Sequence, residues 1–201
     1  MNPMRRGLLA ALLAASAGVS HAAPAELAVG GARLALPAEA DWTVQTAADA
    51  ARATRLLGDG QLEVTLTVRP RAAGAETGTA AEFLRQAEKA QDALMTAAHE
   101  MRSVHFSQVR QAGTPCVRWD GVFAPRGVGA AAQPQLWRAG LTCLHPMATG
   151  LAVTAEAVWR APANADAEPA LQAAQLLLSG LAFQSIRAAA GSALGARTPL
   201  R

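Results

Sequence analysis

PCVRWDGVF (115–123), QLWRAGLTC (135–143) and GLAVTAEAVWR (150–160) decide the fold. Each is a short run rich in β-branched, aromatic or alternating apolar residues and is bounded by Gly or Pro, the pattern of an extended strand. Together they hold both cysteines of the chain, Cys116 and Cys143, and three of its four tryptophans, Trp119, Trp137 and Trp159. The reading is a central antiparallel meander with the rest of the chain packed around it.

Upstream of the meander, VHFSQVRQ (104–111) reads as a strand and GTP (113–115) as the turn into it. TAAEFLRQAEKAQDALMTAAH (79–99) predicts a helix of about five turns. Thr79 and Glu82 form a capping box, and Phe83, Ala87, Ala90, Leu94 and Ala98, widened by Leu84 and Met95, form its expected buried stripe. ATRLL (53–57), GDG (58–60) and QLEVTLTVR (61–69) make the clearest hairpin. In its second arm Leu62, Val64, Leu66 and Val68 alternate with polar residues, the mark of a half-buried strand. GARLALPAEADWTVQT (31–46) reads as two short strands broken at Pro37, preceded by a linker, and Pro70 to Gly78 reads as a loop.

The first two arms of the meander are joined by APRGVGAAAQPQ (124–135), longer than a tight hairpin needs. After the third arm, Asn164 or Asp166 can cap a helix that buries Leu171, Ala174, Leu177 and Leu178 and stops at Gly180, before a last apolar segment, LAF (181–183). Strands, a long helix, strands and a closing helix predict an α+β sandwich: one mostly antiparallel sheet flanked by two main helices in a single domain.

The ends have a different character. Residues 1–22 carry Arg5 and Arg6, an apolar run from Leu8 to Val19 and a small-x-small site at Ser20, His21 and Ala22, which is the form of a cleaved signal peptide and predicts a periplasmic protein without a membrane anchor. The domain then spans 23–186, and 187–201 reads as a low-complexity, disordered tail. The chain has 18 Lys and Arg against 15 Asp and Glu, but Arg5, Arg6, Arg187, Arg197 and Arg201 all lie at the ends, leaving 13 against 15 in the body. Such a balance gives no basic face for nucleic acid and no polybasic patch for a membrane. Abundant alanine, one lysine and no tyrosine read as compositional bias.

Two cysteines in an exported chain predict a disulfide, Cys116–Cys143, closing a loop of 28 residues. Cys116 alternates with Arg118 and Asp120, whereas Cys143 alternates with Leu141 and Trp137; a bulge near Pro115 or Gly121, or a bond formed at the strand ends, would reconcile the two faces. His99 and Glu100 begin an HExxH pattern that fails at Ser103. No GxSxG, phosphate loop or paired carboxylates are present, so the expectation is a protein that is not an enzyme and needs neither cofactor nor metal. His105 and His145 read as structural or surface residues. The expected partner surface is the connection around Arg126, with Arg118 and Arg138 beside it; a loop that merely tolerates insertion is the competing reading.

LTCLHP (141–146), the strand LAVTAEAVWR (151–160), a helix ending LLLSGLAF (176–183) and the early GARLALP (31–37) resemble exported bacterial proteins of the Mog1/PsbP-like fold. More narrowly, they resemble the periplasmic immunity proteins that neutralise lipase effectors of type VI secretion. That resemblance implies a non-enzymatic module that occludes a protein partner's active site. The rival expectations are an envelope accessory or assembly protein and, behind it, a hydrolase using His105 or His145.

Overall fold

The computed structural model describes residues 25–38, 41–71, 78–125, 134–162, 166 and 168–184, with the side chains of 98–102, 124, 125 and 161 left out. The expected signal peptide, the tail, Asn164 and Arg126 lie outside these residues.

Among the described residues the chain forms two antiparallel sheets and two helices. Strands β1 (Glu26–Val29), β2 (Ala32–Ala35) and β10 (Leu181–Phe183) make a small sheet in the order β1-β2-β10. The large sheet runs β3 (Thr43–Thr46), β4 (Ala50–Leu57), β5 (Gly60–Pro70), β9 (Leu151–Ala161), β8 (Gln135–Leu144), β7 (Thr114–Pro125), β6 (His99–Gln111). Helix α1 (Ala80–Ala98) follows β5, and α2 (Glu168–Ser179) follows β9. The expected α+β sandwich is present, with β7, β8 and β9 as its meander.

Three two-residue turns set the local geometry. β1 and β2 close over Gly30–Gly31, both at positive φ (52° and 84°), so a strand stands where the sequence reads as linker. Gly58–Asp59 joins β4 to β5, with Gly58 at φ 58°. Ala112–Gly113 joins β6 to β7, and both residues lie at positive φ, 49° and 81°.

The helices cover opposite faces of the large sheet and are offset from one another. α1 packs on β6, β7 and β8, over Val117, Trp119 and Phe123. On the other face the small sheet lies over β4 and β5, and α2 lies over β8 and β9, closing a core of Leu62, Val64, Leu66, Leu141, Val153, Leu177 and Leu181. Each face is therefore apolar on one side and polar on the other. The alternation along any strand follows whichever layer lies above it.

The capping box forms as expected. Thr79 N donates to Glu82 Oε2 at 2.8 Å, and Glu82 N donates to Thr79 Oγ1 at 3.2 Å. The buried stripe is turned by one position from the expected one: Phe83, Ala87 and Met95 are buried, while Ala90 and Leu94 face solvent, Leu94 with 60% of its area exposed. Gln91 completes the stripe and donates to Thr142 Oγ1 on β8 at 3.0 Å. α2 is capped by Asp166, whose Oδ1 accepts from Glu168 N at 3.0 Å, and buries Ala170, Ala174, Leu177 and Leu178, leaving Leu171 half-buried.

Cys116 and Cys143 form a disulfide, both fully buried. They are direct cross-strand partners, and the β7–β8 register runs without a shift from there to Phe123↔Leu136. The bulge expected near Pro115 or Gly121 is absent; the irregularity lies instead between Met101 and Ser103 on β6. Cys116, Arg118, Asp120, Leu141 and Trp137 share one face without conflict, because the layer above that face reaches β8 and covers β7 only at its Cys116 end. The bond also lies at the end of the ladder opposite to the 126–134 connection, so it clamps the strands where they enter and leave.

Candidate functional site

On the α2 side of the large sheet, one row across the strands reads Val64, Ala157, Ala139, Asp120, His105, and the next reads Leu62, Trp159, Trp137, Val122, Ser103. The first row puts two methyl groups, Ala157 and Ala139, side by side where the meander is widest. α2 sets Ala170 and Ala174 above them, and four alanines facing one another leave space that larger side chains would fill. The result is a cavity of about 170 Å³ walled by Trp137, Trp159 and Leu171. Beyond the edge of α2 it meets Ser103, His105 and Asp120.

The walls are apolar and the mouth is polar. His105 and Ser103 are exposed and Asp120 is half-buried. Trp159 is 95% buried, and its indole N–H has no hydrogen-bond partner among the described residues, an uncommon state for a buried donor.

Ser103, His105 and Asp120 are the three residue types of a nucleophile, a base and its orienting acid, and His105 and Asp120 are cross-strand partners. A relay needs hydrogen bonds of about 2.6–3.2 Å between its members. None joins these three. Among the described residues no group of three or more His, Cys, Asp or Glu is placed to hold a metal ion.

Of the residues singled out in the sequence, His105 stands at the cavity mouth and Arg138 borders it from the far face of β8. Arg118 is exposed on the α2 side of β7. Arg138 lies on the opposite face and is not free: Nε donates to Glu156 Oε1 at 2.6 Å, and its guanidinium lies 5.8 Å from the Trp119 ring centre and 5.9 Å from that of Phe123. Its side chain keeps 17% of its exposure, so the expectation of an exposed Arg138 beside Arg118 is corrected. Arg138 caps the end of the α1-side core, and the two arginines share no surface. His99 and Glu100 stand on a strand, which removes the helical frame an HExxH site needs.

His145 is buried and structural. Its Nδ1 accepts from Met147 N at 3.2 Å, which leaves the proton on Nε2 to donate to Gly30 O at 3.0 Å. The ring meets Phe183 edge-on at 5.7 Å. It ties the β8–β9 connection to the β1–β2 turn and to β10, and with both nitrogens engaged it is not placed to act as a general base.

The cavity escaped the sequence reading because its parts are far apart in the chain. Residues 62, 103–105, 120–122, 137–139, 157–159 and 170–174 meet only through strand register. The available signal was the Ala-x-Trp spacing of β9, Ala157 and Trp159, set against Trp137 and Ala139 of β8.

No family model matches the chain, and no curated protein matches it. Among solved structures it is similar in outline to the crystal structure of LpqN, described as involved in cell envelope biogenesis of Mycobacterium tuberculosis. The two share 12% identity over 77% of this chain and 83% of that one, with a TM-score of 0.49.

Proposed function

We propose that this protein is an exported, non-catalytic binding module that engages a protein partner in the bacterial periplasm, with the alanine-floored cavity beside α2 as its recognition site. The observation that carries the reading is the cavity itself: a recess with two tryptophan walls and a polar rim, the kind of pocket that an anchoring side chain of a protein partner fills. The buried disulfide fits a protein that matures outside the reducing cytoplasm. No described helix is long and apolar enough to cross a membrane.

In its narrower form the module is an inhibitor of the immunity type, supported by the resemblance of the Cys143–Pro146 stretch and the α2–β10 segment. Co-expression in the periplasm with an effector encoded beside its gene tests this. Protection lost on closing the cavity supports the inhibitor; survival unchanged by the protein's presence counts against it, and a constitutive complex with an envelope assembly recovered by pull-down favours the accessory role. A hydrolase would require Ser103, His105 and Asp120 to draw together on binding substrate. Ester turnover abolished by His105→Ala would show that; turnover indifferent to it removes the role.

A further inference from the structure

We infer that the protein partner proposed above is held by its backbone: an extended segment of it pairs with the open edge of β6 as an eighth strand of the large sheet, with apolar residues on its α1 side and an acidic residue on its α2 side. Such pairing rests on the reading of a protein-binding module and adds the chemistry of the partner's chain.

The edges of the two sheets differ in kind. β1, β10 and β3 have four, three and four residues, the brevity with which proteins blunt an exposed edge. β6 has 13. It contains neither proline nor lysine, and its one irregularity, between Met101 and Ser103, leaves 103–111 regularly paired with β7 on one side. Along an antiparallel strand the N–H and C=O groups point alternately to the two sides. On the far side of β6 every second residue therefore offers both groups to an incoming backbone, and no described strand takes them. An extended chain matches that spacing, which makes the occupant a strand.

The two faces of this run set the side chains of the added strand. On the α1 side Val104 and Phe106 pack against the core under α1 yet stay half-buried. A cross-strand neighbour has its Cβ about 4.5–5.5 Å away, so an apolar one completes their burial. On the α2 side Ser103, His105 and Ser107 are exposed, and the first two form the mouth of the cavity. A strand paired with β6 passes directly beside that mouth. Arg118 on β7 is the cross-strand partner of Ser107, is exposed, and makes no ion pair among the described residues. Ser107 is too short to cover it. A carboxylate opposite Ser107, two strand spacings or about 9.5 Å from Arg118, comes within reach of the guanidinium, whereas Asp120 beside His105 disfavours an acid opposite His105. A second copy of this chain supplies no such acid, because residues 103–111 hold His105 and Arg110 but neither Asp nor Glu.

The test uses the purified ¹⁵N-labelled protein and an acetylated nonapeptide that alternates threonine with valine and carries glutamate at its centre, on the threonine side. Saturable shifts are expected at the amides of 103–111, with those of β3 unmoved. Two further peptides, N-methylated at alternate residues in opposite phases, each block one backbone edge. One is expected to bind like the parent and the other at least about tenfold more weakly, the loss of one or more hydrogen bonds. Glutamine in place of the central glutamate is expected to weaken binding about threefold, as for an exposed ion pair, and to change nothing in Arg118→Gln, a substitution at an exposed side chain. Equal binding of the two methylated peptides, shifts spread over the whole protein, or no saturable binding overturns the strand site. A glutamine effect that survives Arg118→Gln overturns the acidic residue. A dimer in sedimentation equilibrium that the peptide dissociates overturns the partner's segment and assigns the edge to a second copy. The effector co-expression assay does not use these peptides, so the two can fail separately.

Discussion

Trp137 on β8 and Trp159 on β9 are cross-strand partners, and both line the recess beside α2. Two residues along, on the same face, Ala139 pairs with Ala157, so the two strands alternate a wall and a floor.

Filling the recess should cost little stability and remove binding. Ala174→Leu projects three extra carbons from α2 into the cavity. Cavity filling commonly adds about 0.5–2 kcal/mol, whereas overpacking a closed core costs about 1–3 kcal/mol. The expected outcome is unchanged or raised stability in urea unfolding together with lost protection in the effector co-expression assay. A large destabilisation would mean that the space is already closed.

On the opposite face Trp119 lies across Gly140, and a Cβ at 140 would stand 2.2 Å from Cζ2 of its indole. The ring is fully buried under α1 and cannot swing out. Gly140→Ala should therefore destabilise by at least the about 1–3 kcal/mol of an overpacked site, with a changed near-ultraviolet circular dichroism signal. A neutral substitution would show that Trp119 has another rotamer available.

The disulfide should be a large single contributor to stability. Closing a 28-residue loop contributes about 3.5 kcal/mol on the chain-entropy model. At roughly 3 °C per kcal/mol for a chain of this size, the Cys116→Ala, Cys143→Ala double variant should melt about 10 °C lower. Because both sulfurs are fully buried, reductant should act slowly on the folded protein and rapidly once denaturant is added, as followed by thiol labelling.

Ala112 occupies a left-handed position, φ 49°, that favours Gly or Asn. Ala112→Asn creates the Asn-Gly pair preferred in such two-residue turns. It should relieve part of the roughly 1–2 kcal/mol cost of a left-handed L residue, a difference that thermal unfolding resolves.

Local chemistry made much of the fold legible. The Gly58–Asp59 turn, the Thr79–Glu82 capping box and the Gly180 helix stop each declare themselves within a few residues. Gly30–Gly31 carried the same kind of signal, but the strand before it is only four residues long and read as linker. The stripe of α1 failed for a different reason. Phe83-Ala87-Ala90-Leu94 and Phe83-Ala87-Gln91-Met95 both satisfy helical spacing, and what selects the second is Thr142, 51 residues away, waiting for the Gln91 amide. The apparent conflict between the faces of Cys116 and Cys143 had its origin in the covering layers, whose edge falls between β8 and β7 and cannot be read from either strand alone. The site was the least legible part, because a cavity is defined by what four distant alanines omit.

The most direct test of the central claim is the ¹H–¹⁵N spectrum of the four indole groups as a partner recovered by periplasmic pull-down is titrated in. The account predicts saturable shifts for Trp137 and Trp159, with Trp42 and Trp119 unmoved. Four indoles that stay still, or four that drift together without saturation, would contradict a recognition site beside α2.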